Sequence, residues 1–269
     1  MSELPAVSSA RRGLALALWL AASTLGTICG IGGGIFATPI QHYVCRVPLP
    51  RAISISLVLV LVMTVVATIS ESLRADGAID WTIVALLLVG SIPGAQLGYA
   101  FGARASVRTL KIGFVLLLLV GALRTATLGS QGNSVDAFDV ERALLDHIVA
   151  VVIGFGGGFL APLLGVGGGI LVIPLLFLLI PELTYLEARA CSMAMSVVNA
   201  SQSVWLHMRD GRIDFRAAAP YALVAVVGAL AGTWLVHLPG WGEVARIALV
   251  CVLLFVAARF ALDLRATRE

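Results

Sequence analysis

Two glycine clusters stand inside the most apolar runs of this chain, Gly30-Ile31-Gly32-Gly33-Gly34 and Gly165-Val166-Gly167-Gly168-Gly169. They lie 135 residues apart (165 − 30), and each is followed five residues after its last glycine by a proline, Pro39 and Pro174. Glycine costs a helix interior about 1 kcal/mol relative to alanine, so three in succession end a helix. Length forces the same conclusion. Residues 13–45 as one helix would run about 50 Å at 1.5 Å per residue, against a hydrocarbon core of about 30 Å, while 31–45 alone is short for a crossing. The element these residues predict is a glycine-broken helical hairpin, with re-entry and full crossing both left open.

The surroundings are those of a membrane. The 269 residues are 59% hydrophobic and 12% charged, where a soluble domain averages roughly 45–50% and about 25%. The apolar runs are too long for the short alternating strands of a barrel. Arg11 and Arg12 precede the first run, but no small-residue cleavage pattern follows it, so it reads as a mature membrane segment. A net charge of +3 spread over loops gives nucleic acid no footprint, and Cys29, Cys45, Cys191 and Cys251 show no paired spacing. No Walker motif, Ser-His-Asp set or His-Glu-x-x-His sequence appears, which argues against an enzyme. No cofactor or metal is expected.

The chain repeats itself. The break motifs align, Pro50–Ser54 resembles Ala188–Ser192, Asp76–Trp81 resembles Asp210–Phe215, and Gly90–Gly94 matches Gly228–Gly232, all in one order. The predicted fold is an all-α polytopic membrane protein of two inverted repeats, each a broken hairpin plus three transmembrane helices. The first repeat, 1–127, holds the hairpin 13–45 and helices 52–73, 81–102 and 107–127. A polar linker spans 128–142. The second, 143–269, holds the hairpin 143–181 and helices 187–208, 214–236 and 244–263. Cytoplasmic loops collect Lys and Arg. If each broken element enters and returns, thirteen of the 18 basic residues fall on one side, and Arg74, Arg124, Arg142, Arg189 and Arg246 on the other; a single crossing leaves eleven. The first arrangement inverts the repeats and puts both termini in the cytoplasm.

Irregular backbone survives at membrane depth only inside protein or along a cavity. A helix restarting after a glycine break presents free N–H groups and the positive end of its dipole, an anion site. Polar residues in the spans narrow the neighbourhood: Ser192, Ser196, Asn199 and Ser203 recur at helical spacing, and Ser54, Ser56, Thr64 and Thr68 form a looser stripe. An Asn inside a span faces the bundle, where it bonds a ligand or another helix. Gly90, Gly94, Gly98, Gly228 and Gly232 read instead as helix-packing positions. Arg51 and Arg189 start equivalent helices and either attract anions to the mouths or snorkel to headgroups. The histidines fall near helix ends, and no carboxylate lies in the middle of a span.

Together, "GIGGGIFATPI", "GVGGGILVIPLL" and the R-A-x-S helix starts resemble the TauE/SafE family of sulfite exporters, the toluene sulfonate uptake permease group, over Gly13 to Asp263. The resemblance implies eight transmembrane segments from a duplicated four and transport of sulfite, sulfonates or related organosulfur anions. Its signature positions here are Gly30, Gly32, Gly33, Gly34 and Pro39, then Gly165, Gly167, Gly168, Gly169 and Pro174, with Ser54 and Ser192 in the following helices. Thr38 precedes one proline and Ile173 the other, so the two sides of a shared site differ.

The expectation is a secondary transporter of small anions in the bacterial inner membrane, working by alternating access. Gly32, Gly33, Gly34, Thr38, Ser54, Gly167, Gly168, Gly169, Ser192 and Asn199 would bind the substrate through neutral donors. The alternatives are an uncoupled anion channel or a membrane scaffold subunit. A coupling ion, H⁺ or Na⁺, and the oligomeric state, a homodimer among the options, stay open. A reporter fused after Arg142 is expected to report the extracytoplasmic side, and a cytoplasmic signal there overturns the inverted arrangement.

Overall fold

The structure, a computed structural model, describes residues 9–101, 115–116, 118–123, 125, 140–164, 169–180, 183–211 and 213–266. Among these every regular element is helical: α1 (Ser9–Cys29), α2 (Gly34–Pro39), α3 (Leu49–Ser72), α4 (Trp81–Phe101), α5 (Val140–Leu164), α6 (Gly169–Leu179), α7 (Tyr185–Arg209), α8 (Phe215–Val236) and α9 (Trp241–Ala266). The short α2 continues as a π-helical turn, Ile40–Val44. Predicted helix 107–127 and linker 128–142 lie largely outside the described residues, as do Gly165 to Gly168.

The helix ends follow local chemistry. Pro48 caps α3, and Pro50 sits in its first turn, where the missing N–H has no acceptor to lose. Thr184 and Glu187 form a reciprocal capping box on α7. Asp214 accepts from the Ala217 N–H at the start of α8, and Asp80 does the same for Thr82 and Ile83 at α4. Five helices, α1, α3, α4, α8 and α9, have a stretch long and apolar enough to cross a membrane. Along α8 the exposed residues Leu223, Val227, Leu230 and Trp234 form one apolar stripe, at 73%, 58%, 48% and 59% exposure. In water such a face would be an association surface; in a bilayer it is the ordinary exterior. This is a multi-pass membrane protein.

The core has two parts with α7 between them. One gathers Leu87, Ile153, the buried run Ile170–Phe177 of α6 and Leu249; the other gathers Trp19, Leu57, Leu59, Met63 and Tyr221. Helix α7 gives Cys191 and Met195 to the first and Met193 and Val204 to the second.

The broken-off first helix of each half packs along a later helix of the other. Ser23 and Thr24 of α1 meet Gly228 of α8, and Thr27 meets Gly232, so α1 and α8 run in the same direction. Likewise Leu87 of α4 meets Gly154 of α5, and Ser91 meets Gly158, again in parallel. Helices α3 and α7 run oppositely, since the end of α3 at Glu71 meets the start of α7 at Arg189. The glycine seams at 90, 94, 98, 228 and 232 are packing seams, as expected: a Cβ on Gly90 would stand 1.9 Å from the Val151 carbonyl oxygen.

Gly154→Leu is expected to unseat α5 from α4, because its Cβ would lie 2.1 Å from the Leu87 carbonyl oxygen, with a loss of about 3 kcal/mol or more. Gly156→Leu, with open space around it, leaves stability unchanged. Thermal unfolding of the detergent-purified protein separates the two.

Candidate functional site

The first break is a run of left-handed backbone. Gly30, Gly32 and Gly33 have φ of 74°, 73° and 63°, and Gly33 is the residue from which α2 restarts. The Phe36 and Ala37 amides turn back to the Gly33 carbonyl, which leaves the Gly34 and Ile35 amides as those the helix itself does not satisfy. The break is closed on its flanks. A Cβ on Gly30 would stand 2.5 Å from Arg189 Cγ and 2.7 Å from Ile173 Cδ1, and one on Gly33 would press on Met63 Sδ at 3.1 Å.

One face of α7 finishes the end of α1. The Tyr185 hydroxyl lies 3.3 Å from the Ile28 carbonyl oxygen and 3.2 Å from that of Ala245, Arg189 Nη1 donates to the Thr27 carbonyl at 3.2 Å, and the Ser192 hydroxyl lies 3.3 Å from the Gly30 carbonyl oxygen. These donors are three and four residues apart, one above another on a helix. They meet carbonyls at and just beyond the negative end of α1, where a guanidinium is doubly favourable.

The first break and the start of α6 meet at the same serine. Ser192 Oγ is also 3.4 Å from the Gly169 carbonyl oxygen, and the Gly30 carbonyl oxygen would lie 3.0 Å from a Cβ on Gly169. Gly169, the first residue of α6, is therefore wedged between the first break and α7, with Ser196 Oγ 3.3 Å from that same Cβ position. Gly167 and Gly168 lie outside the described residues.

From Ser192 the polar face of α7 continues through Ser196, Asn199 and Ser203 to His207, each 7% exposed or less. Arg189 to His207 spans 18 residues, about 27 Å at 1.5 Å each, nearly the thickness of the hydrocarbon. Asn199 is fully buried, and neither its Oδ1 nor its Nδ2 has a hydrogen-bond partner among the described residues. Ser203 Oγ and Thr38 Oγ1 are likewise unpartnered.

Ser54 differs from the other expected site residues, because its hydroxyl is taken up by the Pro50 carbonyl of its own helix at 3.1 Å. The serine of α3 that reaches the break is Ser56, which donates to the Gly34 carbonyl at 3.2 Å.

The charged residues behave unlike surface anchors. Arg189 is 1% exposed and pairs through Nη2 with Glu71, itself buried at the end of α3. His237 Nε2 donates to the other Glu71 oxygen at 2.8 Å, and His237 Nδ1 stands 3.6 Å from Asp76 Oδ2. At the opposite end Arg51 pairs with Asp214, and that guanidinium holds the Asp214 carboxyl below the usual carboxylate range. The sequence places Arg189 at a helix start, open between mouth and headgroup, and Glu71 near a helix end, with nothing to pair them. A signal was available for one pair: the aligned Asp76–Trp81 and Asp210–Phe215 segments each carry two aspartates, and Asp214, the second of its segment, meets the arginine of the opposite half. By that symmetry Arg189 would meet Asp80; it takes Glu71 instead.

The sulfite exporter TauE/SafE family matches residues 3–125 and 150–269, nearly the whole chain. The chain belongs to the TauE/SafE family. It is similar to "Probable membrane transporter protein YunE" of Bacillus subtilis (strain 168), 25% identical over 237 residues that cover 80% of this chain and 83% of that protein. It also resembles "Probable membrane transporter protein MamO" of Paramagnetospirillum magneticum (strain ATCC 700264 / AMB-1), 36% identical over 106 residues, 37% of this chain and 17% of that protein. No solved structure matches. In this TauE/SafE chain the fold brings Gly30 and Gly169, one from each glycine cluster, into contact.

Arg189→Met is expected to destabilise this TauE/SafE protein by about 3–5 kcal/mol, since it leaves Glu71 buried without its counter-charge. Adding Glu71→Met recovers most of that loss, because both charges then leave the interior together. The check is the thermal midpoint of single and double variants.

Proposed function

We propose that the chain is a secondary transporter of small anions, sulfite or organosulfonates, which pass along the polar face of α7 beside the paired glycine breaks. The observation that carries this reading is Asn199, a fully buried amide with both polar atoms unpartnered, on the same face as the serine that touches both breaks. A buried polar group without a partner costs about 1–3 kcal/mol. A chain that keeps one on its central helix, in line with Ser192, Ser196 and Ser203, keeps it for a ligand that comes and goes.

The remaining features support the same reading. Amides left by the restart of α2 and hydroxyls of α7 are neutral donors, suited to an oxyanion that must also be released. The flanks of the first break are closed, so an anion reaches it only when the helices around it part; that fits a carrier with an occluded state. Two inverted halves supply the motion: α3 and α7 run oppositely, and α1 and α5 each lie parallel to a later helix of the other half. The family's name supplies the substrate class, sulfite. An inner-membrane location with both termini cytoplasmic belongs to the same reading, and the distribution of Lys and Arg along the sequence favours it.

The test is flux of labelled sulfite and labelled methanesulfonate into proteoliposomes. Asn199→Leu is expected to lower flux at least about tenfold, the equivalent of one binding interaction of about 1.4 kcal/mol, while thermal stability holds or rises because an unpaired amide has been removed. Ser192→Ala lowers flux as well. Undiminished flux in both variants takes α7 out of the pathway. Accumulation above the equilibrium distribution marks a carrier, and equilibration alone marks a channel.

A further inference from the structure

Glu71, His237 and Asp76 form a graded series from solvent to the interior. The Asp76 side chain is 63% exposed, that of His237 4%, that of Glu71 3%, and that of Arg189, at the inner end, 1%. The groups facing them come from several elements. The loop after α3 gives Arg74, which holds Asp76 with two hydrogen bonds of 3.0 and 3.1 Å and keeps its carboxyl below the usual range. The same loop gives the Ala78 N–H, which donates to Glu71 Oε1 at 3.3 Å. Helix α7 gives Arg189 and Tyr185, and α1 gives the Thr27 carbonyl and the Cys29 thiol. Arg189 also has a buried Nε without a partner, and its Cγ lies against Gly30 of the first break.

We propose that Asp76, His237 and Glu71 are a proton relay that switches Arg189 between its internal carboxylate and the transported anion, so that one proton moves with each anion. The proposal rests on the transport reading above. A carboxylate only accepts, so His237 Nε2 carries the hydrogen that it gives to Glu71 Oε1. A proton arriving at Nδ1 from the Asp76 side lets Nε2–H pass to Glu71, and the imidazole returns to its neutral form. Imidazole is the side chain suited to such exchange near neutral pH. Glu71 is then a neutral acid, and the Arg189 guanidinium has lost its counter-charge.

An anion at the break replaces that charge. Before the exchange the buried pair is Arg189 plus and Glu71 minus; afterwards it is Arg189 plus and anion minus, with Glu71 neutral. The buried charge is zero in both states, so no uncompensated ion is left in the interior. Proton and anion each favour the binding of the other, which is a reciprocal coupling and makes the two travel together as an electroneutral symport. It also explains how a buried arginine can serve a carrier without trapping its substrate: when the site opens to the opposite side, Glu71 gives its proton to water entering there, and the restored carboxylate displaces the anion to that side.

The experiment uses proteoliposomes loaded with a pH-sensitive dye and supplied with labelled methanesulfonate, an anion that carries no proton of its own, with labelled sulfite in parallel. Wild-type protein is expected to acidify the lumen as methanesulfonate enters, one proton per anion, without building a membrane potential. Glu71→Gln is expected to lose proton uptake by about 100-fold, the scale on which a lost acid–base group registers, while exchange of labelled for unlabelled anion stays measurable and loses its pH dependence. Asp76→Asn, on an exposed side chain that tolerates change, slows proton uptake and leaves the fold intact; His237→Gln does the same more severely. Wild-type anion flux without proton uptake overturns the relay and spares the transport reading. Absence of any anion flux in the wild type sinks both. Proton coupling that survives unaltered in Asp76→Asn and His237→Gln also overturns the relay.

Discussion

A helix that stops inside hydrocarbon leaves amides and carbonyls with no water to bond, and each costs several kcal/mol if nothing replaces it. Much of this structure answers that one demand at the end of α1. Within the break the Gly30 amide returns to the Thr27 carbonyl at 3.1 Å, and the Ile31 amide to the Gly26 carbonyl at 3.0 Å. Beyond it Tyr185, Arg189 and Ser192 stand in line on α7. A side chain on Gly30 or Gly169 would push them away. The glycines are thus required twice, for left-handed backbone at Gly33 and for room at the meeting of the two breaks.

The arginine needed for that purpose brings a second demand. A guanidinium that is 1% exposed needs an anion, and Glu71 supplies it from the far end of α3. Glu71 has a second oxygen to satisfy, which His237 fills from the end of α8. Three helices and the start of a fourth are thereby tied at one end of the bundle through charges. The opposite end repeats the arginine but not the burial: Arg51 and Asp214 keep side-chain exposures of 29% and 24%. Equivalent positions in the two halves therefore carry unequal chemistry, one pair open to solvent and one sealed beside the breaks.

Along α7 the demand is met only in part. Ser192 is engaged and His207 Nδ1 bonds the Ser203 carbonyl at 2.9 Å, yet Asn199 between them is left bare. An unsatisfied amide on the central helix is a local conflict of the kind that natural chains retain at functional sites.

What the residues alone determined is considerable. Apolar length, glycine clusters and the aligned order of motifs dictated a helical membrane protein whose first helix in each half is interrupted, because those properties follow from transfer to lipid and from backbone propensity, which are local. The three- and four-residue spacing of Ser192, Ser196, Asn199 and Ser203 marked one face of one helix for the same reason. Partnership was not legible there. Arg189 and Glu71 are 118 positions apart, and His237 and Glu71 are 166 apart. Helical periodicity says which face a residue occupies and nothing about which other helix that face will meet. Only the packing of α1, α3, α7 and α8 decided that an arginine left open between the mouth and the headgroups would be buried, that Ser54 would spend its hydroxyl on its own helix while Ser56 reached the break, and that Gly30 and Gly169 would share one serine.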